Sequence, residues 1–393
     1  MRLDDSQERF CNSSADHVRL LAPAGSGKTL SLLWRCKRIS ERNTGKRQRF
    51  LIFTFTRVAR DELKHGLNTD ESFADIRESV RVDTLNRWGY NYLRKQVNTG
   101  LALKASNKEL FALVKHNLRP IWSKIARIER AVSGSQGKYV DLMRVVDALK
   151  TSGFRHDAPE LIADFDNHLS WLENCGLLRY FEGNIMQPLE RMGLVTKGGE
   201  RPVERIAQFV RFWKQLCTHL WDSAIITLDD QKYWSLIALQ EKYSESFFPE
   251  PNRYHHIFVD EFQDINPLDL FLIKELARVN RSTVTVVGDD DQAIFEWRGA
   301  VPRFILSPDE FFGTPFETHT LETNYRSPKN ILFHSQKLIA NNEGRVEKRV
   351  VAATDADAEI THRCFHSHDD AATFVLELAR DVNSLGTPKG LAV

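Results

Sequence analysis

Two short strings, far apart in the chain, carry complementary chemistry. They are Ala22-Pro23-Ala24-Gly25-Ser26-Gly27-Lys28-Thr29 and Val259-Asp260-Glu261-Phe262-Gln263-Asp264. In the first, glycines allow backbone N–H groups from Ala24, Gly25, Ser26 and Gly27 to converge on one anion. A helix following the loop adds its own free N–H groups. Lys28 supplies a point charge for a polyphosphate, and the Thr29 hydroxyl suits Mg²⁺. Ala22 stands where the strict pattern has glycine. In the second string, Asp260 and Glu261 end the apolar run Ile257-Phe258-Val259. Carboxylates at the carboxyl end of a buried strand face the crevice in which open α/β sheets bind ligands. Asp260 is placed to hold Mg²⁺ directly or through water, and Glu261 to polarise the attacking water. Taken alone the acids could form a solvated turn. Beside the phosphate loop they point to nucleoside-triphosphate hydrolysis.

A third string, Val286 to Ala300, follows another apolar run. Gln292 is placed to sense a γ-phosphate from a strand end. Phe295 and Trp297 offer stacking faces and Arg298 a cation for unpaired bases. On residue type alone, core packing is the better reading of the two aromatics.

These groups need a sheet to position them. Val18–Leu21, Phe50–Phe55, Ile257–Val259 and Val284–Val287 read as buried strands, and Leu32, Leu33, Cys36 and Ile39 keep one helical face. The alternation predicts a parallel, doubly wound α/β sheet. Strand-like runs vanish between about Asn91 and Ala224. Helical faces replace them, at Leu161, Phe165, Leu169 and Leu172 and at Val203, Ile206, Val210, Trp213 and Leu220. This stretch reads as an inserted helical domain, bent at Pro120 and looped at Gly134-Ser135-Gln136-Gly137. A further α/β unit is expected after Glu317, with a strand near Thr318–Leu321, a helix from about Pro328 and another holding Phe374, Leu376 and Leu378. The closing Leu391-Ala392-Val393 reads as the start of a buried strand, so truncation is expected.

The strings Leu21–Thr29, Phe53-Thr54-Phe55-Thr56, Val259–Asp264, Gly288-Asp289-Asp290-Asp291-Gln292 with Trp297–Ala300, and Leu321-Glu322-Thr323-Asn324-Tyr325-Arg326-Ser327 occur in this order. From about Leu3 to Val393 the chain resembles the amino-terminal part of a UvrD/Rep-type superfamily 1 DNA helicase. The resemblance implies an α/β P-loop NTPase fold, built on a RecA-like parallel sheet. Its discontinuous first RecA-like domain would span 1–90 and 225–316, the all-helical insertion 91–224, and the start of a second RecA-like domain 317–393. It implies ATP and Mg²⁺ as cofactors, single-stranded DNA or DNA with a single-stranded tail as partner, and 3′–5′ movement. It also implies residue roles. Gln7 would read the adenine edge and Tyr325 stack on adenine, while Arg326 reaches the γ-phosphate. Thr54, Phe55 and Thr56 would touch DNA, as would Thr84, where Asn86 stands near the usual histidine. Leu30 and Phe295 replace a usual basic residue and a usual tyrosine. The family's later motifs, including a second arginine finger worth about 10³–10⁵ in rate, lie beyond Val393, so weak hydrolysis by this polypeptide alone is expected. A different class of reading is a nucleotide-responsive DNA-binding module that needs a protein partner to complete its ATPase site. A third, a P-loop ATPase unconnected with nucleic acid, is disfavoured by the Gln292–Trp297 string.

Composition is compatible with all of this. The 393 residues suffice for two or three domains, and 54 Lys+Arg against 53 Asp+Glu leave a net charge of +1, which neither requires nor excludes a nucleic acid. The five cysteines lack CxxC spacing, which argues against a disulfide framework. With a charged amino terminus and no long apolar run, a cytoplasmic protein is expected. The basic run Lys37, Arg38, Arg42, Lys46, Arg47, Arg49 reads as a solvated face, and the alternating His362, Cys364, His366, His368 as a polar strand face rather than a metal site.

Overall fold

The computed structural model describes residues 3–96, 100–103, 136–157, 161–177, 180, 182–192 and 203–384. The bend expected at Pro120, the loop residues Gly134 and Ser135, and the strand expected at Leu391–Val393 lie outside them. The first half of the sheet domain runs α1 (Asp5–Asn12), β1 (His17–Leu21), α2 (Lys28–Arg42), β2 (Phe50–Phe53), α3 (Arg57–Thr69), β3 (Val80–Asp83) and α4 (Leu85–Gln96). After β4 (Ala102–Leu103) come α5 (Gln136–Thr151), α6 (Leu161–Asn174) and α7 (Val203–Asp222), and the chain returns through β5 (Ile225–Ile226). Then follow α8 (Asp230–Lys242), β6 (His256–Val259), α9 (Pro267–Asn280), β7 (Thr283–Gly288) and β8 (Glu317–Thr320). The last described elements are β9 (Thr323–Asn324), α10 (Lys329–Ile339), β10 (Val351–Ala352) and α11 (His368–Ser384).

Six strands form one sheet in the order β3-β2-β6-β7-β1-β8, every pair parallel. Its central strands are apolar on both faces because both are covered. Val18, Leu20, Phe50, Ile52, Phe258 and Val287 join a core under α1, α2 and α3. Their neighbours Leu21, Leu51, Phe53, Ile257, Val259 and Val286 point the other way, into a second core. That second core is continuous with the helical insertion: Leu149, Phe165, Leu169, Val210 and Trp213 belong to the same cluster. The insertion therefore shares apolar contacts with the sheet domain, and β4 and β5 pair where the chain leaves and returns.

Local rules account for the element ends nearest the cleft. Asp4 and Gln7 form a capping box on α1, and Asn266 and Asp269 another on α9, with Pro267 in its first turn. β2 stops at Phe53, two residues short of the predicted strand. The Thr54 hydroxyl donates to the Thr56 carbonyl (3.1 Å), and the Thr56 hydroxyl then caps α3 at Ala59 N (3.1 Å).

Three expectations need correction. The strand near 318–321 does not open a new unit. It is β8, hydrogen-bonded along β1 from Val18↔Glu317 to Leu21↔Thr320, so it becomes the edge of the first sheet. Gln136 and Gly137 belong to α5 rather than to a loop. The His362–His366 stretch is exposed irregular chain with no strand beside it among the described residues, and His368 opens α11. Without a paired strand, nothing holds those side chains on one face. The basic run is partly spent on intramolecular partners: Lys37 donates to the Ser72 carbonyl at 2.6 Å and Arg42 to the Asn12 carbonyl at 2.6 Å. No helix among the described residues is long and apolar enough to cross a membrane. Cys11, Cys36, Cys175 and Cys217 are buried free thiols, and Cys364 is exposed.

Candidate functional site

The loops after β1 and β6 meet above the sheet's carboxyl edge, two strands apart. There the Lys28 ammonium lies 2.5 Å from Glu261 Oε1 and 3.4 Å from Asp260 Oδ1. Burial acts to depress the lysine, yet Asp260 and Glu261 together hold its pKa above the ordinary value. The two acids respond in opposite directions. Asp260, buried beneath the lysine, is pushed up by burial that Lys28 only partly offsets. Burial also acts to raise Glu261, but Lys28, the Gln263 amide and Arg326 hold it below its usual range. Glu261 is thus the more exposed of the two acids and the one held below its usual range.

Glu261 sits in the left-handed region, at φ 53° and ψ 45°, a conformation that costs a side-chain-bearing residue about 1–2 kcal/mol. Its neighbours maintain it. The Glu261 N–H donates to Asp260 Oδ1 (3.0 Å). Gln263 Nε2 donates to Glu261 Oε2 (2.9 Å), while Gln263 Oε1 accepts from the Asp289 N–H at the end of β7 (3.1 Å). Gln263 thus ties the two loops together. Its role was not apparent in the sequence, where it is one letter of an acidic string.

A cleft of about 550 Å³ opens over Lys28, lined among others by Gln7, Thr29, Asp260, Gln292, Tyr325 and Arg326. Two features of its floor fit a bound polyphosphate. Helix α2 starts at Lys28 with no side-chain cap and no acid in its first turn, leaving its first N–H groups available to an anion. The Ser26 hydroxyl is buried without a hydrogen-bond partner. Gly25 and Gly27 have φ of +72° and +79°, and a Cβ on Gly25 would lie 2.5 Å from Arg326 Cβ. The glycines are needed both for the turn and for the approach of the β9 segment. Thr29, one residue into α2, and Asp260 are the groups beside Lys28 that could hold a divalent cation.

That approach is built by Asn324, a second residue that sequence reasoning missed. Its Nδ2 donates to the Ala24 carbonyl (2.7 Å), and its Oδ1 accepts from the Arg326 and Ser327 N–H groups (3.0 and 2.7 Å). The Tyr325 N–H donates to the Gly25 carbonyl (2.8 Å). Tyr325 and Arg326 are thereby carried to the cleft, and the Tyr325 hydroxyl donates to Asp4 Oδ2 (2.7 Å). Gln7 lies beneath, buried. Its Nε2 donates to the Ser26 carbonyl (3.1 Å) and its Oε1 accepts from the Asp4 N–H (3.0 Å), so both ends of the amide are engaged within the protein. Gln292 also reaches the cleft, its Nε2 donating to Asp289 Oδ2 (2.6 Å).

The expected DNA-contact residues divide into two kinds. Arg298 stands amid three rings, with its guanidinium carbon 5.8 Å from the Phe55 centroid, 5.7 Å from Phe295 and 5.8 Å from Trp297. Phe55 and Phe295 lie 5.9 Å apart, and Trp297 is 69% exposed. Core packing is thus excluded for Trp297. The threonines differ. Thr54 is buried and its hydroxyl is turned inward to Thr56, the Thr56 hydroxyl caps α3, and the Thr84 hydroxyl accepts from the Arg87 N–H (3.2 Å) at the start of α4. Asn86 donates to the Leu228 carbonyl (2.7 Å).

Residues 3–313 match the family profile described as the UvrD/REP helicase N-terminal domain. Over 387 residues the chain is 27% identical to DNA helicase II of Escherichia coli, covering 95% of this chain and 45% of that protein. It is 26% identical over 390 residues to the ATP-dependent DNA helicase srs2 of Schizosaccharomyces pombe, covering 97% of this chain and 40% of that protein. The chain thus spans less than half the length of these curated relatives. With the profile covering most of its length and the phosphate loop, acid pair and β9 segment converging on one cleft, this chain belongs to the UvrD/REP helicase N-terminal domain family.

Proposed function

We propose that this chain is the ATP-binding and DNA-contacting part of an ATP-dependent helicase or translocase that moves 3′–5′ on single-stranded DNA or on DNA with a single-stranded tail. The observation that carries the reading is the meeting of Lys28 with Asp260 and Glu261 at the floor of a cleft faced by Arg326 and Gln292. In this reading the backbone of Ala24 to Gly27 and the start of α2 hold the phosphates, and Lys28 exchanges Glu261 for them. Freed from the lysine, Glu261 takes up the attacking water. Thr29 and Asp260 would hold Mg²⁺, which when bound would neutralise charge on the phosphates. Arg326 approaches from the β9 side and Gln292 from the β7 side, so the cleft registers both lobes. Tyr325 covers the base, and Gln7 reads its edge by giving up its bond to Ser26. Unpaired bases stack on Phe55, Phe295 and Trp297 with Arg298 among them. This reading keeps the domain division expected from the sequence, moving β8 to the first lobe, and the free thiols suit a cytoplasmic site of action.

Lys28→Ala tests the site. Titration of the 393-residue chain with a fluorescent ATP analogue and Mg²⁺ should show binding reduced by at least about 30-fold, from loss of a charged hydrogen bond. Unchanged affinity refutes the assignment. A second reading, a module whose hydrolysis needs a protein partner, is favoured by the exposed apolar side chains Leu338 (73%), Leu376 (60%) and Phe333 (51%) on the last helices. It predicts slow turnover by this polypeptide alone, checked by phosphate release with and without oligonucleotide.

A further inference from the structure

The loop after β7 carries three consecutive acids, Asp289, Asp290 and Asp291, with carboxylate oxygens within 4.8 Å of one another. Like charges held so closely need a cation. That cation comes from the irregular segment between α10 and β10. The Lys348 side chain is 1% exposed, and its ammonium lies 2.8 Å from Asp289 Oδ1 and 2.8 Å from Asp291 Oδ2, and also contacts Asp290. Arg345 donates to both oxygens of Asp291 (2.7 and 2.8 Å), and the Val346 N–H donates to Asp290 Oδ2 (2.8 Å). An ammonium so far out of water is costly unless fully paired. Two cations from within the chain, Lys348 and Arg345, thus offset two of the three negative charges, and the Val346 N–H serves Asp290.

Asp289 stands at a junction. Its Oδ1 meets Lys348 and its Oδ2 accepts from Gln292 Nε2 (2.6 Å). Its N–H donates to Gln263, which in turn holds Glu261. We propose that Lys348 is a positioning residue: by fixing the Asp289 carboxylate it orients Gln292 in the cleft, and so makes triphosphate recognition depend on docking of the 345–348 segment. This rests on the reading of Gln292 as the γ-phosphate sensor. Without Lys348 the three carboxylates repel, Asp289 turns, and Gln292 loses its anchor, while the phosphate loop and Lys28 stay in place.

The test compares Kd for a slowly hydrolysed triphosphate analogue with Kd for ADP, both with Mg²⁺, by calorimetry on the 393-residue chain. Lys348→Met should lower the triphosphate preference about 10-fold with ADP affinity unchanged, and the Lys348→Met/Gln292→Ala double variant should be no worse than Gln292→Ala alone. Lys348→Arg should restore most of the preference. Arg345→Ala, which leaves Asp289 paired, should keep it. A Lys348→Met variant with normal preference beside an impaired Gln292→Ala overturns the inference, as does additive loss in the double variant or equal loss in Arg345→Ala. Uniform weakening of both nucleotides would mark a merely structural role and overturn it too. An unchanged preference in Gln292→Ala refutes the sensing role itself, and this inference with it.

Discussion

Replacing Glu261 with glutamine separates the two jobs assigned to that side chain. In the structure the Glu261 carboxylate holds the Lys28 ammonium at 2.5 Å, with side chains 28% and 15% exposed. A nucleotide must break that contact before Lys28 can reach its phosphates. At an effective dielectric of about 20, two unit charges 4 Å apart attract by about 4 kcal/mol. Partial exposure and the second partner, Asp260, reduce the net value of this pair to about 1 kcal/mol. Glu261→Gln keeps the shape, the left-handed backbone and an acceptor for Gln263, but removes the charge. Lys28 is then released at lower cost, and the affinity for an ATP analogue with Mg²⁺ should rise about five-fold. Hydrolysis should fall by about 10²-fold or more, because the group that polarises water is lost. Calorimetry gives the first number and a phosphate-release assay the second. Affinity falling as it does in Lys28→Ala would refute the competition between glutamate and phosphate. Unchanged turnover would refute the assignment of Glu261 as base.

Trp297→Ala removes the most exposed ring of the Arg298 cluster. It should weaken binding of a fluorescent oligothymidine by about 1–3 kcal/mol at fixed salt and leave nucleotide affinity alone; equal affinity in anisotropy titrations would count against the platform. Gly25→Ala puts a methyl into the space of Arg326 at φ +72°. The β9 segment should be displaced and nucleotide affinity reduced at least about 10-fold, at about 1–2 kcal/mol of backbone strain alone; wild-type binding would contradict the close approach. His156, whose Nδ1 lies 2.8 Å from the Tyr233 hydroxyl, is lowered to about 4 by burial, partly opposed by Asp157. The unfolded chain protonates this histidine near pH 6.5, so its contribution is complete above that pH and is lost as pH falls toward 4. The loss is about 1.4 kcal/mol per pH unit, or about 2 kcal/mol between pH 6.5 and 5. Urea melts of His156→Asn should show a stability–pH slope flatter by that amount, and an identical slope would refute the claim.

Much of the site was legible because its chemistry is local. A phosphate loop is eight consecutive residues between a strand and a helix, and the acid pair closes an apolar run, so residue type and periodicity were enough to place Lys28, Thr29, Asp260 and Glu261. The four central strands β1, β2, β6 and β7 were legible for the same reason, since burial on both faces leaves apolar runs, whereas the edge strand β3, interrupted by Arg81, was not read as one. The β8 assignment went astray because an exposed edge strand of mixed sequence, Glu317-Thr318-His319-Thr320, carries no such run. Its place depends on hydrogen bonds to β1, which lies about three hundred residues earlier in the chain.

The sequence by itself determined the phosphate loop, the acid pair and the four central strands, since each follows from neighbours in the chain. Only the tertiary structure decided what those elements bring together: Asn324 on the phosphate loop, Gln263 between two loop ends, Arg298 among three rings, and Lys348 inside an aspartate triad. These are single polar or aromatic side chains whose partners lie on other elements. Their contacts form only once folding brings those elements together, and no periodicity in the chain records that.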